Sequence, residues 1–199
     1  MSSIAATNDP GAHWMLRYQA GDEAAFDRLV ELYSGKVFAL LTRYLGPVAQ
    51  REDLVQETFL RVIRARDRYE PRARFSTWLY RIVFNLCVNE RERGSGRDSR
   101  TLEAVEQQAG GDSVLVDERV EPPSHGLERE DTIELVRRAI EALPPRQRMA
   151  LILAKYEGLS YDEVARALDS TEKAIKSTIH RARESLRVAL AHLVEERNL

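Results

Sequence analysis

From Phe26 onward the large apolar side chains return every three or four residues, the spacing of one helix face. Phe26, Leu29, Val30, Tyr33, Val37, Leu40, Leu41 and Tyr44 form the first such stripe, which Gly46 and Pro47 stop. Leu54, Val55, Phe59, Val62 and Ile63 form a second, fading where Tyr69, Glu70 and Pro71 disfavour helix. Trp78, Leu79, Ile82, Val83, Leu86 and Cys87 form a third, with Ser76 or Thr77 as its cap. No alternating strand pattern competes. A chain with this period along its length is restricted to an all-α fold, and three such helices can share one core.

The pattern divides the chain in two. Residues 1–21 read as an N-terminal tail, and Asp22 as the cap of the first helix in a domain over 22–93. Over 92–132 eleven acids face five arginines, and Gly94, Gly96, Gly110, Gly111, Pro122, Pro123 and Gly126 punctuate the stretch. That composition buries too little apolar surface to offset its ordering entropy, so 94–127 reads as a flexible acidic linker with one apolar knot at Val114–Val116. A second helical unit covers 128–193, where Ile133, Val136, Ile140 and Leu143 line one face, and a short C-terminal tail follows at 194–199. Pro145 suits a first helical turn, and Ser160-Tyr161-Asp162-Glu163 reads as a capping box. The fold expected is two small helical domains, an N-terminal bundle and a C-terminal helix-turn-helix bundle.

The last two helices have the short-helix, tight-turn, long-helix arrangement of a DNA reader. Ala165 is small where the helices must cross, and Val164, Leu168, Ile175 and Ile179 suit a shared core. Asp169 stands at the turn position where glycine is common, and Asp tolerates left-handed backbone better than most residues. The final helix displays Lys173, Lys176, His180, Arg181, Arg183 and Arg187, although the whole chain has a net charge of -2. Positive charge gathered on the one helix that would enter a major groove is the electrostatic footprint of duplex binding. A solvated basic face on an ordinary helical hairpin is the competing reading.

Two further clusters stand out. Between 61 and 81 lie Arg61, Arg64, Arg66, Arg68, Arg72, Arg74 and Arg81, interleaved with Tyr69, Phe75, Trp78 and Tyr80. Arginines hold phosphates and aromatic faces stack on unpaired bases. A solvated helix face explains the arginines equally well, and Trp78 suits a core. Asp53 and Glu57 lie one turn apart beside Gln56, a polar and mainly acidic face that fits a basic protein partner or simply water.

Taken in order, D-L-V-Q-E-T-F-L-R-V (53–62), F-S-T-W-L-Y-R-I-V-F-N (75–85), L-P-P-R-Q-R (143–148), G-L-S-Y-D-E-V-A (158–165) and I-K-S-T-I-H-R-A-R (175–183) resemble the sigma subunits of bacterial RNA polymerase, in their small extracytoplasmic-function group. The resemblance covers about 22–91 and 130–190. It implies that Asp53, Gln56 and Glu57 grip a coiled coil on the clamp of core RNA polymerase. It implies that the loop from Tyr69 to Ser76 and the helix after it read and melt the minus-ten element, with Arg74, Phe75, Ser76, Arg81 and Asn85 near the captured strand. It places Lys173, Lys176, Ser177 and His180 at base edges or nearby phosphates of the minus-thirty-five duplex, with Arg181 and Arg183 on phosphates. An anti-sigma factor, often membrane-linked, is a further implied partner. Asp169 and Thr178 stand where the family often has glycine and arginine, which bears on promoter preference. The acidic segment 98–121 is expected to enter the polymerase cleft and mimic nucleic acid there.

Other classes find little support. No G-x-x-x-x-G-K loop, no metal-spaced His/Cys set and no nucleophile motif is present, so neither catalytic residue, metal, cofactor nor small-molecule substrate is expected. Residues 1–13 lack the apolar core of a secretory signal, and no apolar run approaches the roughly 20 residues of a membrane span. With one cysteine, Cys87, a reducing cytoplasmic setting is expected. A helix-turn-helix regulator working without polymerase, and a helical adaptor for protein alone, remain as alternatives.

Overall fold

The structure is a computed structural model that describes residues 9–46, 51–94 and 126–197. The expected linker, its Val114–Val116 knot and the acidic segment 98–121 lie outside the described residues. Within the described residues the chain is all-α: α1 (Pro10–Gln19), α2 (Ala24–Leu45), α3 (Arg51–Arg64), α4 (Phe75–Gly94), α5 (Gly126–Ala142), α6 (Pro145–Lys155), α7 (Tyr161–Ala167) and α8 (Glu172–Arg197), with one 3-10 turn over Arg66–Arg68.

α1 lies where the sequence reads as a tail. Asp9 caps it by accepting the Gly11 N–H at 3.0 Å, and Pro10 fills the first turn, where no N–H is needed. Ala12, Met15 and Tyr18 are buried and pack the helix on α2. Asp22 caps nothing with its side chain; its carboxylate pairs with Arg17 at 2.5 Å, and α2 begins two residues later.

α2 buries Ala25, Leu29, Tyr33, Val37, Leu40, Leu41 and Tyr44 as one continuous stripe. It ends at Gly46, whose φ of 76° favours glycine and which the side-chain tips of Glu141 and Arg137 of α5 approach. α3 turns Leu54, Phe59 and Val62 inward. Ile63, read as part of that stripe, is 39% exposed, as is Leu60 at 45%. Ile133 of α5 is likewise 60% exposed rather than on its apolar face.

α4 buries Phe75, Thr77, Leu79, Tyr80, Val83, Phe84, Leu86 and Cys87. At 100° per residue these cover about 200° of the helix circumference, twice the stripe of a helix with one partner. The reason is that α4 packs on α1, α2 and α3 on one side and on α7 on the other. α2 also meets α5 and α6, so the buried side chains of the first half run without a break into Met149, Ile152, Leu153, Val164 and Ile179 of the second. The two helical units thus pack against each other through a continuous apolar cluster, beside a smaller one of Leu143, Leu151 and Ala182.

Arg148 of α6 crosses this seam while only 3% exposed. Its guanidinium donates to the Tyr44 carbonyl at 3.0 Å and to the Leu143 carbonyl at 3.2 Å, the C-terminal ends of α2 and α5. It also lies over the Tyr44 ring. Helix C-termini carry partial negative charge, so one buried cation serves two of them.

Candidate nucleic-acid interface

The reader unit is built as its sequence suggests. Ser160 and Glu163 form a complete capping box at the start of α7. At the far end Asp169 takes a φ of 53°, the one non-glycine residue with positive φ among those described. The Ser170 N–H then donates to the Ala165 carbonyl at 2.8 Å, closing a Schellman turn with aspartate in the usual glycine place. Thr171 caps α8 by accepting the Ala174 N–H. Val164, Ala165, Leu168, Ile175 and Ile179 are buried between the two helices.

That register turns Lys173, Lys176, Ser177, His180 and Arg183 outward on α8, while Arg181 is half-buried and Thr178 buried. Among the described residues Lys173, Lys176 and Arg183 form no ion pair with an acid of α8, whereas Arg187 is engaged by Glu184 at 2.6 Å. The exposed stripe is thus a basic and hydroxyl surface of about three turns.

The expected strand-contacting residues are not all at the surface. Arg74, Arg81 and Asn85 are exposed and Ser76 is half-buried, but Phe75 is wholly buried. Its ring packs on Tyr33, Tyr69 and Trp78 at centroid distances of 4.9, 6.0 and 5.5 Å. A ring so enclosed cannot also stack on a base; its role in this geometry is to seat the first turn of α4. Tyr69 is buried beside it, and Trp78, half-buried, fills the same cluster. Burial first, and the Asp9 charge second, raise the phenol of Tyr33 to about 12 and that of Tyr69 higher still.

The arginines of the α3–α4 loop and α4 meet the helix-turn-helix unit. Arg74 pairs with Glu163 of the capping box at 3.3 Å, Arg81 reaches Asp169 of the turn at 3.5 Å, and Arg166 of α7 donates to the Arg72 carbonyl at 3.3 Å. Deeper in the seam, Glu157 accepts from Tyr80 at 2.7 Å and from Arg43 at 3.1 Å. Burial and this hydrogen bond push the Tyr80 phenol far up. Arg74 and Arg81 therefore face carboxylates of the other half while the face of α8 stays open. Nothing in the sequence marks this pairing, because the partners lie about 90 residues apart.

On α3, Asp53 and Gln56 are exposed and Glu57 is half-buried, held by Arg61 at 3.1 Å and Arg64 at 3.4 Å. Leu60 and Ile63 continue the same side of the helix, which sequence reading missed. Leu60 breaks the inward stripe, and that break was the available signal. The face is mixed, acidic at its start and apolar at its end.

Among the described residues no group of three or more His, Cys, Asp or Glu is placed to hold a metal ion, and no helix is long and apolar enough to cross a membrane.

Comparison with known proteins agrees with this layout. Residues 29–97 match the family model described as Sigma-70 region 2, and residues 133–186 match Sigma-70, region 4. The chain is 34% identical over 182 residues to the RNA polymerase sigma-H factor of Pseudomonas aeruginosa, covering 90% of this chain and 93% of that one. It is 37% identical over 174 residues to the ECF RNA polymerase sigma-E factor of Salmonella typhimurium, covering 85% and 88%. Among solved structures it resembles the sigma factor RpoE in complex with the anti-sigma factor NepR from Bartonella quintana, with a TM-score of 0.58 and 25% identity over 83% of this chain and 96% of that one.

Proposed function

Because this chain belongs to the sigma-70 family of RNA polymerase sigma factors, in its extracytoplasmic-function group, we propose how its two halves divide the work. The chain is a specificity subunit and not an enzyme: it binds core RNA polymerase and directs it to promoter DNA for initiation. In our reading α3 docks on the polymerase through Asp53, Gln56 and Glu57, with Leu60 and Ile63 extending the contact. Arg74, Ser76, Arg81 and Asn85 hold the melted minus-ten strand, and Phe75 fixes their geometry from inside. Lys173, Lys176, Ser177 and His180 meet the minus-thirty-five duplex in the major groove, with Arg181 and Arg183 on phosphates.

The observation that supports this reading best is the open basic stripe of α8 on a chain of net charge -2. Electrostatic contact with phosphates positions the duplex, and base edges then select it. Neither step needs a catalytic group.

The closed packing of the halves has to part for this work. Elements about 25 base pairs apart span roughly 85 Å of duplex, whereas a compact chain of 199 residues is about 40 Å across. Residues 95–125 join the halves, and a stretch of that length reaches roughly 100 Å at full extension. We therefore read the packed form as that of the free subunit and the parted form as that of the holoenzyme. The Bartonella relative is bound by an anti-sigma factor, and we extend a partner of that kind to this chain.

In vitro transcription with purified core polymerase on a genomic promoter pool tests the assignment. Start sites should appear only when this chain is added. Unchanged start sites, or sequence-selective duplex binding by the chain alone at holoenzyme strength, would favour a regulator that works without polymerase.

A further inference from the structure

The loop between α3 and α4 is tied to α1 at both of its ends. At the loop's exit, the Phe75 N–H, the first of α4, donates to the Asp9 carboxylate at 2.6 Å while the other carboxylate oxygen caps α1 itself. One side chain thus caps two helices. At the loop's entry, the Gln19 amide lies within hydrogen-bond distance of the carbonyls of Arg66, Asp67 and Tyr69, at 3.0, 3.3 and 3.2 Å. Arg66 adds a second tie, lying over the Tyr18 ring at 4.2 Å and pairing with Glu23 at 2.8 Å.

Between Asp9 and Gln19 run ten residues of helix, a rigid rod of about 15 Å. Gly11 brings that rod against the loop: a Cβ there would collide with the Tyr33 hydroxyl and with Phe75. The spacing between loop entry and loop exit is therefore set by a helix that itself carries none of the promoter-facing residues.

We propose that α1 splints the strand-capturing loop, with Asp9 and Gln19 as positioning residues for promoter melting. The proposal rests on the reading that residues 69–76 and the start of α4 hold the melted strand. A loop with its carbonyls and its helix cap released keeps the same side chains but presents Arg74 and Ser76 over many geometries. Strand capture then loses the pre-ordering that makes it favourable, while docking through α3 and duplex contact through α8 are untouched.

The test uses holoenzyme reconstituted from the full chain and core polymerase. The rate of promoter opening is followed by permanganate reactivity of minus-ten thymines, beside core affinity and holoenzyme affinity for a pre-melted promoter. Asp9→Ala and Gln19→Met, the latter keeping the stem and losing only the amide, should each slow opening of duplex about tenfold. Core affinity should stay within about twofold, and affinity for the pre-melted template should fall about tenfold, because capture rather than unpairing is impaired. Asp9→Asn keeps an acceptor and should restore at least half the rate. Normal opening by Gln19→Met overturns the proposal whatever Asp9→Ala does. Loss of core affinity in step with opening in Gln19→Met also overturns it, since the contacts would then serve stability at large. If wild-type holoenzyme opens no promoter, it is the underlying reading that falls, a result distinct from either of these.

Discussion

The Tyr80 hydroxyl donates to the Glu157 carboxylate at 2.7 Å, across the seam between α4 and the helix-turn-helix half. Arg43 reaches the same carboxylate at 3.1 Å, and the Glu157 side chain is only 10% exposed. Hydrogen bonds to a charged group contribute about 1.5–3 kcal/mol each. Glu157→Ala should therefore weaken the packed form of the free subunit by about 2 kcal/mol or more. A fluorescence energy-transfer pair on α3 and α8 should report a separated population raised by an order of magnitude or more. Tyr80→Phe, which leaves the Arg43 pair, should do less. An unchanged signal in Glu157→Ala would mean that apolar contact alone keeps the halves together.

Leu60 tests the docking face. It is 45% exposed, so Leu60→Ala should change thermal stability by no more than about 0.5 kcal/mol. Apolar anchors at the centre of an interface often cost 1–2 kcal/mol on truncation, so affinity for core polymerase should fall about tenfold. Equal affinity with and without Leu60 would confine docking to the acidic start of α3.

At the turn, Asp169 separates backbone strain from charge. Left-handed backbone costs a residue with a Cβ roughly 1–2 kcal/mol, less for Asp and Asn and nothing for Gly. Asp169→Ala should lower stability by about 1 kcal/mol, while Asp169→Asn and Asp169→Gly should match or exceed the parent. A thermal melt of each variant decides this. Loss of stability in the Asn variant would instead point to the ion pair with Arg81, which at 3.5 Å and high exposure should contribute little.

For α8 the measurement is a salt series. If Lys176 holds a phosphate, the plot of log affinity against log salt for holoenzyme on a minus-thirty-five duplex should flatten by about 0.9 in Lys176→Ala. A phosphate contact also weakens all sequences alike, so selectivity among duplexes should be preserved. A changed preference at one base pair would place Lys176 at a base edge.

Much of this architecture was legible in advance because its signals are local. The capping box at Ser160 and Glu163, Pro145 in the first turn of α6, and the left-handed Asp169 are each set within four or five residues. α1 was missed although Asp9-Pro10 is a cap followed by a first-turn proline, because a ten-residue helix is marginal alone and forms here only on α2 and Phe75. The resemblance puts Phe75 near the strand, and an aromatic beside arginines looks the same in sequence buried or exposed; the enclosing cluster of Tyr33, Tyr69 and Trp78 distinguishes them. The seam was invisible for a different reason. Arg74 with Glu163, and Tyr80 with Glu157, are pairings that no period or spacing encodes. Ile63 is hidden in a stripe whose other members face the core, and Leu60 stands outside that stripe with no partner to mark its face.

Arg148 bears on what happens after the halves separate. Of its two carbonyl partners, Leu143 belongs to its own half and Tyr44 to the other. Parting breaks the second bond and the stacking on the Tyr44 ring, and the Tyr44 oxygen at a helix end can then take up solvent. The guanidinium keeps the Leu143 carbonyl and gains water on its newly exposed side, so it escapes the large penalty of an ion deprived of counterpart and water alike.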